Sequence, residues 1–351
     1  MKVKKTIVFL LMMIVLTSAF AGPAASANRV YELTLSHQWP ATGRVEALVQ
    51  RWIAEVSEGT NGDVRITSFP GNTLTGSREN YEGVVQGISD LGMVPYNSIA
   101  GRFPIVEAFM LPGFSGFNNA AAVGAALNEY VRTHSPDELS DTQHLFSFST
   151  GASTLVSERP ILTMEDMRGL PLGVTHAERA TMLNLLGATP VSLPVPEWYE
   201  ALSRNLIVGG ITSPETLQGH MLGDVTGSYI LNSPLFGSTI FYCVMNKDAF
   251  NSLPAEYQEV MLRAPEYFLS AWDELAVDSI EFTRGKKSVE VNILSDEETA
   301  RWRELMGPIR QNNLDALNAR GIDGESVHKI IMELEEKYNA LYPYSIRDRF
   351  N

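Results

Sequence analysis

Cysteine is almost absent: Cys243 stands alone in 351 residues, so no disulfide can form within the chain. Its surroundings, "STIFYCVMN", are apolar, which suits a small buried hydrophobe better than a nucleophile. Histidine is scarce too. None of His37, His134, His144, His176, His220 and His328 pairs with another at metal-ligand spacing. Neither a G-x-G-x-x-G nor a G-x-x-x-x-G-K-[ST] run occurs, and "GFSGF" at 113–117 lacks the spacing of a nucleophile elbow. No cofactor, metal or catalytic residue is therefore expected. Positive charge is in deficit, with 27 Lys and Arg against 41 Asp and Glu, a formal −14. Such a chain does not bind nucleic acid through its net field; the charge reads as solubility. Beyond residue 20 no stretch approaches the ~18 apolar residues that span a bilayer.

What is present begins with an export signal. "MKVKK" is a basic start, "TIVFLLMMIVLTSAF" an apolar core of 15 residues, and Ala25 and Ala27 stand at −3 and −1 of a cut before Asn28. Residues 1–27 thus read as a signal peptide and the mature protein as periplasmic. No cysteine stands at the cut to carry a lipid. Removing Lys2, Lys4 and Lys5 takes the formal charge from −14 to −17.

About 324 mature residues suit two lobes rather than one small core. The hydrophobic pattern is α/β. "YELTLSHQWP" and "DVRITSFPG" read as strands around an amphipathic helix with Val45, Val49, Trp52 and Val56 on one face. A second strand-and-helix series starts near "STLVSERPI". Within it "LPLGV" is a short strand, and Thr175 with Glu178 three residues on resembles a capping box. "LIVGGITSPETLQG" repeats the strand, loop and helix start. Pro254 to about Arg284 reads as nearly continuous helix, long enough to pass between lobes. The expected fold is a two-lobed periplasmic binding protein with a hinged cleft. The expected lobes are 28–150 plus about 239–285, and 151–238 plus about 286–351.

Several runs together resemble the periplasmic solute-binding subunits of TRAP transporters, the DctP-like extracellular solute-binding proteins of family 7. They are "ERPILTMEDMRGLPLGV", "LLGATPVSLPVPEWYEAL", "SFPGNTL", "GISDLGMV" and "YCVMNKDAFNSLPAEYQEVM". The resemblance implies capture of a small organic solute and its delivery to TRAP membrane permease subunits driven by an ion gradient. It also implies no catalysis. Rival readings are an ABC-importer receptor and a periplasmic enzyme with an unrecognised site.

By the resemblance, "LPLGV" should end in an arginine that clamps the ligand carboxylate, yet Gly173 stands there; Ser153 holds the place of a second ligand arginine. The implied ligand is then a neutral or amine solute, an acid gripped otherwise, or an aromatic. Other grips are the helix start at Thr175–Glu178, Arg102 or Arg179; stacking would use Trp39, Trp198 or Tyr96. Strand ends point to His37 and Trp39, and to Tyr96 and Asn97, each lining the cleft or packed beneath a loop. Gly173 and Thr175 are cleft-edge by family position, with His176 beside them at the helix start. Thr212 and Ser213 fall where the family often supplies an amide, and Glu215 follows them. Export predicts a mature N-terminus at Asn28. Intact mass of the exported protein checks this, and a mass that retains "MKVKK" contradicts it.

Overall fold

The computed structural model describes residues 29–350; the export signal and its cut lie outside the described residues. The first sheet holds β1 (Tyr31–His37), β2 (Val64–Phe69), β3 (Leu91–Met93) and β4 (Gln143–Ser149). The second holds β5 (Thr154–Ser157), β6 (Pro171–Val174), β7 (Thr189–Ser192), β8 (Gly209–Thr212) and β9 (Tyr229–Asn232). The chain then returns to the first sheet with β10 (Ile240–Met245) and to the second with β11 (Glu290–Asn292). The strand orders are β2-β1-β3-β10-β4 and β11-β9-β5-β8-β6-β7. This is the expected two-lobed α/β architecture.

The sequence accounts for these placements. Helix Arg44–Gly59 buries Val45, Val49, Trp52 and Val56 along one face against the first sheet. All six residues of β10 are buried, as an inner strand covered on both faces requires. Cys243 lies within it, buried as a packing residue, and burial raises its thiol pKa well above the usual value.

The lobes share two adjacent crossovers, one between β4 and β5 and one between β9 and β10. The crossovers are bonded to each other: Thr150 N–H donates to Thr239 O and Ser153 N–H to Gly237 O, both at 2.9 Å. Gly237 has φ +67°, and a Cβ there would fall 2.2 Å from the Met110 carbonyl oxygen. Only glycine fits that approach. A third passage is helix Glu266–Arg284. Its Phe268, Leu269, Trp272 and Leu275 pack in the first lobe, and its Ala276 and Ile280 in the core around Trp198 in the second. The expected continuous helix from Pro254 is in fact two, Ala255–Met261 and Glu266–Arg284. Pro265 interrupts it by lacking an N–H and restarts it from the N-cap.

The C-terminal segment does not follow the second lobe throughout. β11 pairs with β9, but Asn313 donates to Pro104 O, Asn339 to Gly116 O, and Lys337 pairs with Glu129 at 2.5 Å. The last two helices, Gly307–Ala319 and Gly324–Leu341, thus lean on helices Pro104–Met110 and Ala120–His134 beside the first sheet.

Gly173 has a structural explanation. It is paired with Gly210 across β6 and β8, and the two make a slot for the Trp198 indole. A Cβ would lie 2.9 Å from that ring at Gly173 and 2.6 Å at Gly210. Trp198 is fully buried and donates from Nε1 to Leu193 O at 3.0 Å. Gly210→Ala is expected to lower unfolding free energy by about 1–3 kcal/mol through overpacking. A urea midpoint unchanged by this substitution would show that the slot is not tight.

Candidate ligand-binding cleft

Between the lobes lies a cavity of about 150 Å³. The first lobe supplies Asn97, Ala100, Glu107, Met110, Leu111 and Pro112; the crossover supplies Ser238; the second lobe supplies Thr175 through Arg179. Strand β6 ends at Val174, and helix Ala177–Leu185 starts three residues later. Its N-cap is His176, whose side chain makes no cap bond. The capping-box reading of Thr175 is therefore corrected. Thr175 Oγ1 bonds instead to His176 Nδ1 at 2.5 Å, and no N-cap side chain bonds the first helical N–H groups.

The central group is Arg179. It is 4% exposed. Nε donates to Phe236 O at 3.2 Å and Nη2 to Ser153 Oγ at 2.6 Å; Nη1 lies 3.4 Å from His176 Nδ1. Among the described residues no carboxylate lies within ion-pair distance of it. Burial pulls its pKa down to about 10, with Glu178 opposing, so it remains a cation at neutral pH. Burial and then the Arg179 charge hold His176 well below the usual histidine range, so His176 is neutral. Ser238 Oγ, buried on the cavity wall, has no hydrogen-bond partner. The cleft thus brings together the Arg179 cation, the unused Ser238 hydroxyl, the Glu107 and Glu178 side chains and an apolar wall.

Of the expected site residues, Asn97, Thr175 and His176 line this cavity, and Ser153 reaches it by holding Arg179. The others are elsewhere. Tyr96 is core: it is fully buried, bonds Ser147 Oγ at 2.9 Å and packs on Phe103 and Tyr242. His37 is fully buried, with Nε2 2.7 Å from Glu46 Oε2 and 2.9 Å from Ser68 Oγ. Burial lowers its pKa while Glu46 opposes. Trp39 packs among His37, Phe148, Phe241 and Trp272. Gly173 lies under Trp198. Trp39, Tyr96 and Trp198 are therefore not stacking platforms in this cavity, because their faces are spent on core packing.

Thr212 ends β8 and Ser213 and Glu215 follow it beside the bridging helix, where Ser279 Oγ donates to Glu215 O at 3.3 Å. Burial raises the Glu215 pKa to about 7, with Arg44 opposing. None of the three lines the cavity. Arg102 is also elsewhere, paired with Asp141 at 2.6 Å. The sequence reading did not find Glu107, Met110 or Ser238. Ser238 sits in an apolar run and carries no local signal.

Residues 35–315 match the family model described as bacterial extracellular solute-binding protein, family 7. The chain belongs to this family. A "Solute-binding protein" of Albidiferax ferrireducens is 23% identical over 300 residues, 78% of this chain and 83% of the relative. A TRAP periplasmic solute-binding protein from Desulfovibrio salexigens has TM-score 0.81 and 27% identity, covering 88% of this chain and 96% of that one. A marine metagenome TRAP protein specific for aromatic acid ligands, solved with metahydroxyphenylacetate, has TM-score 0.79 and 26% identity over 88% and 99%. The family 7 chain is thus a TRAP-type solute-binding protein, which favours this reading over an ABC-importer receptor. These similar proteins are receptors rather than enzymes. No helix among the described residues is long and apolar enough to cross a membrane.

Proposed function

We propose that this receptor binds a small monocarboxylic acid with a compact apolar body, an aromatic acid best of all, and hands it to TRAP permease subunits. The observation that carries the reading is the buried Arg179 guanidinium without a carboxylate. Burying an ion costs several kcal/mol unless it is paired, and a ligand carboxylate supplies the pair. Ser238 Oγ and the uncapped helix start add donors on the same wall. Ala100, Met110, Leu111 and Pro112 supply an apolar face. A cavity of about 150 Å³ is comparable to one that takes benzene in another protein. The aromatic-acid specificity of a protein 26% identical to this chain supports the same class.

The strand arginine that family resemblance leads one to seek at Gly173 would collide with Trp198. In this reading Arg179 brings the cation in from the following helix, and Ser153 holds it in place. Arg179→Gln is expected to weaken benzoate or 3-hydroxybenzoate by about ten- to a hundredfold, the worth of one charge-assisted pair. Its ligand-free melting temperature should stay level or rise, because a buried charge is gone. Titration calorimetry and thermal melts check both; aromatic-acid affinity within twofold of wild type would contradict the reading.

A further inference from the structure

The charge in the cleft is not spread evenly. Arg179 is the one permanently cationic side chain among the described residues lining the cavity, and it lies at the crossover end. Glu107 and Glu178 line the same cavity on the side that adjoins a second one, which Arg179 does not line. Glu107 comes from helix Pro104–Met110 of the first lobe and Glu178 from the first turn of helix Ala177–Leu185 of the second. Both also line a neighbouring cavity together with Ile309, Asn313 and Ala316. Glu107 Oε1 accepts from Gly101 N–H at 2.8 Å, which fixes its carboxyl. Arg320, whose Nη2 donates to Gly101 O, brings a positive charge that favours the ionised form of Glu107. Burial raises the Glu107 pKa, the Gly101 bond lowers it, and Glu178 raises it, so the two acids act on each other.

We infer that Glu107 and Glu178 make the receptor discriminate against dicarboxylates: a solute whose first carboxylate meets Arg179 carries any second one toward two fixed anions. This rests on the reading of Arg179 as the ligand's cation. The same rim tolerates a neutral polar group, such as a hydroxyl or an amide, at the far end of the ligand. The charge of the far group is then what matters, separately from its size. In a water-poor cleft like charges a few ångströms apart repel far more than in bulk water.

The test compares isophthalate with its monoamide, 3-carbamoylbenzoate, two ligands of the same shape that differ by one charge. Calorimetry is run on wild type, Glu107→Gln, Glu178→Gln, the double variant and Arg179→Gln, with thermal melts to establish folding. Wild type should prefer the monoamide by about tenfold or more. The double variant should cut that preference by about tenfold, each single variant by less. If the preference is the same in wild type and the double variant, the rim has no part in selection and the inference falls while Arg179 stands. If Arg179→Gln changes neither ligand's affinity, or wild type binds neither acid, the reading of the site falls and the inference with it.

Discussion

A guanidinium buried between two lobes sets a condition that the described chain does not meet alone. Arg179 has its Nε and one Nη2 proton engaged by a carbonyl and a serine, and no described carboxylate answers its charge. Neutral acceptors recover part of the lost hydration, but they leave the charge uncompensated in a region of low dielectric. In the proposed reading a ligand carboxylate supplies the missing anion each time the receptor binds. The rest of the cleft is consistent with that need: an unused hydroxyl at Ser238, a neutral His176 that adds no competing charge, and an apolar wall from residues 110–112.

The partners of Arg179 also tie the charge to the hinge. Phe236 belongs to the β9–β10 crossover and Ser153 to the β4–β5 crossover, and these segments are bonded to each other through Ser153 N–H and Gly237 O. The side chain comes from the second lobe, while the opposite wall, Asn97 through Pro112, comes from the first. A ligand that engages both walls favours the arrangement that brings them together, which is how differential affinity drives lobe closure. The bridging helix Glu266–Arg284 is anchored in both cores, through Trp272 in one and Ile280 in the other, and so constrains that motion.

Much of the fold was legible in the sequence, because alternation and helical periodicity report burial directly. The β1 and β2 strands, the Arg44–Gly59 helix and the buried β10 run all carry strong patterns. Two local readings failed for local reasons. Pro265 breaks a helix whose apolar pattern runs past it, and the helix after β6 begins one residue beyond the Thr175 box. The site was far less legible. A strand-end position says which sheet edge a residue occupies, but not whether its side chain faces the cleft or the core. Tyr96 and Trp39 lie at such ends and turn inward. Gly173 looked like a missing ligand group, but the missing side chain is room for Trp198, a residue 25 positions away that only the fold brings over it. Ser238 and Glu107 come to line one cavity with Arg179 only when the lobes are assembled, and no spacing along the chain encodes that.

The most direct test of the central claim is a crystal structure of the mature protein grown with 3-hydroxybenzoate. The account predicts the ligand carboxylate within hydrogen-bond distance of the Arg179 guanidinium, with Ser238 Oγ turned toward it and the ring against Met110, Leu111 and Pro112. A carboxylate bound away from Arg179, with that guanidinium still bonded to Phe236 and Ser153 alone, would contradict it.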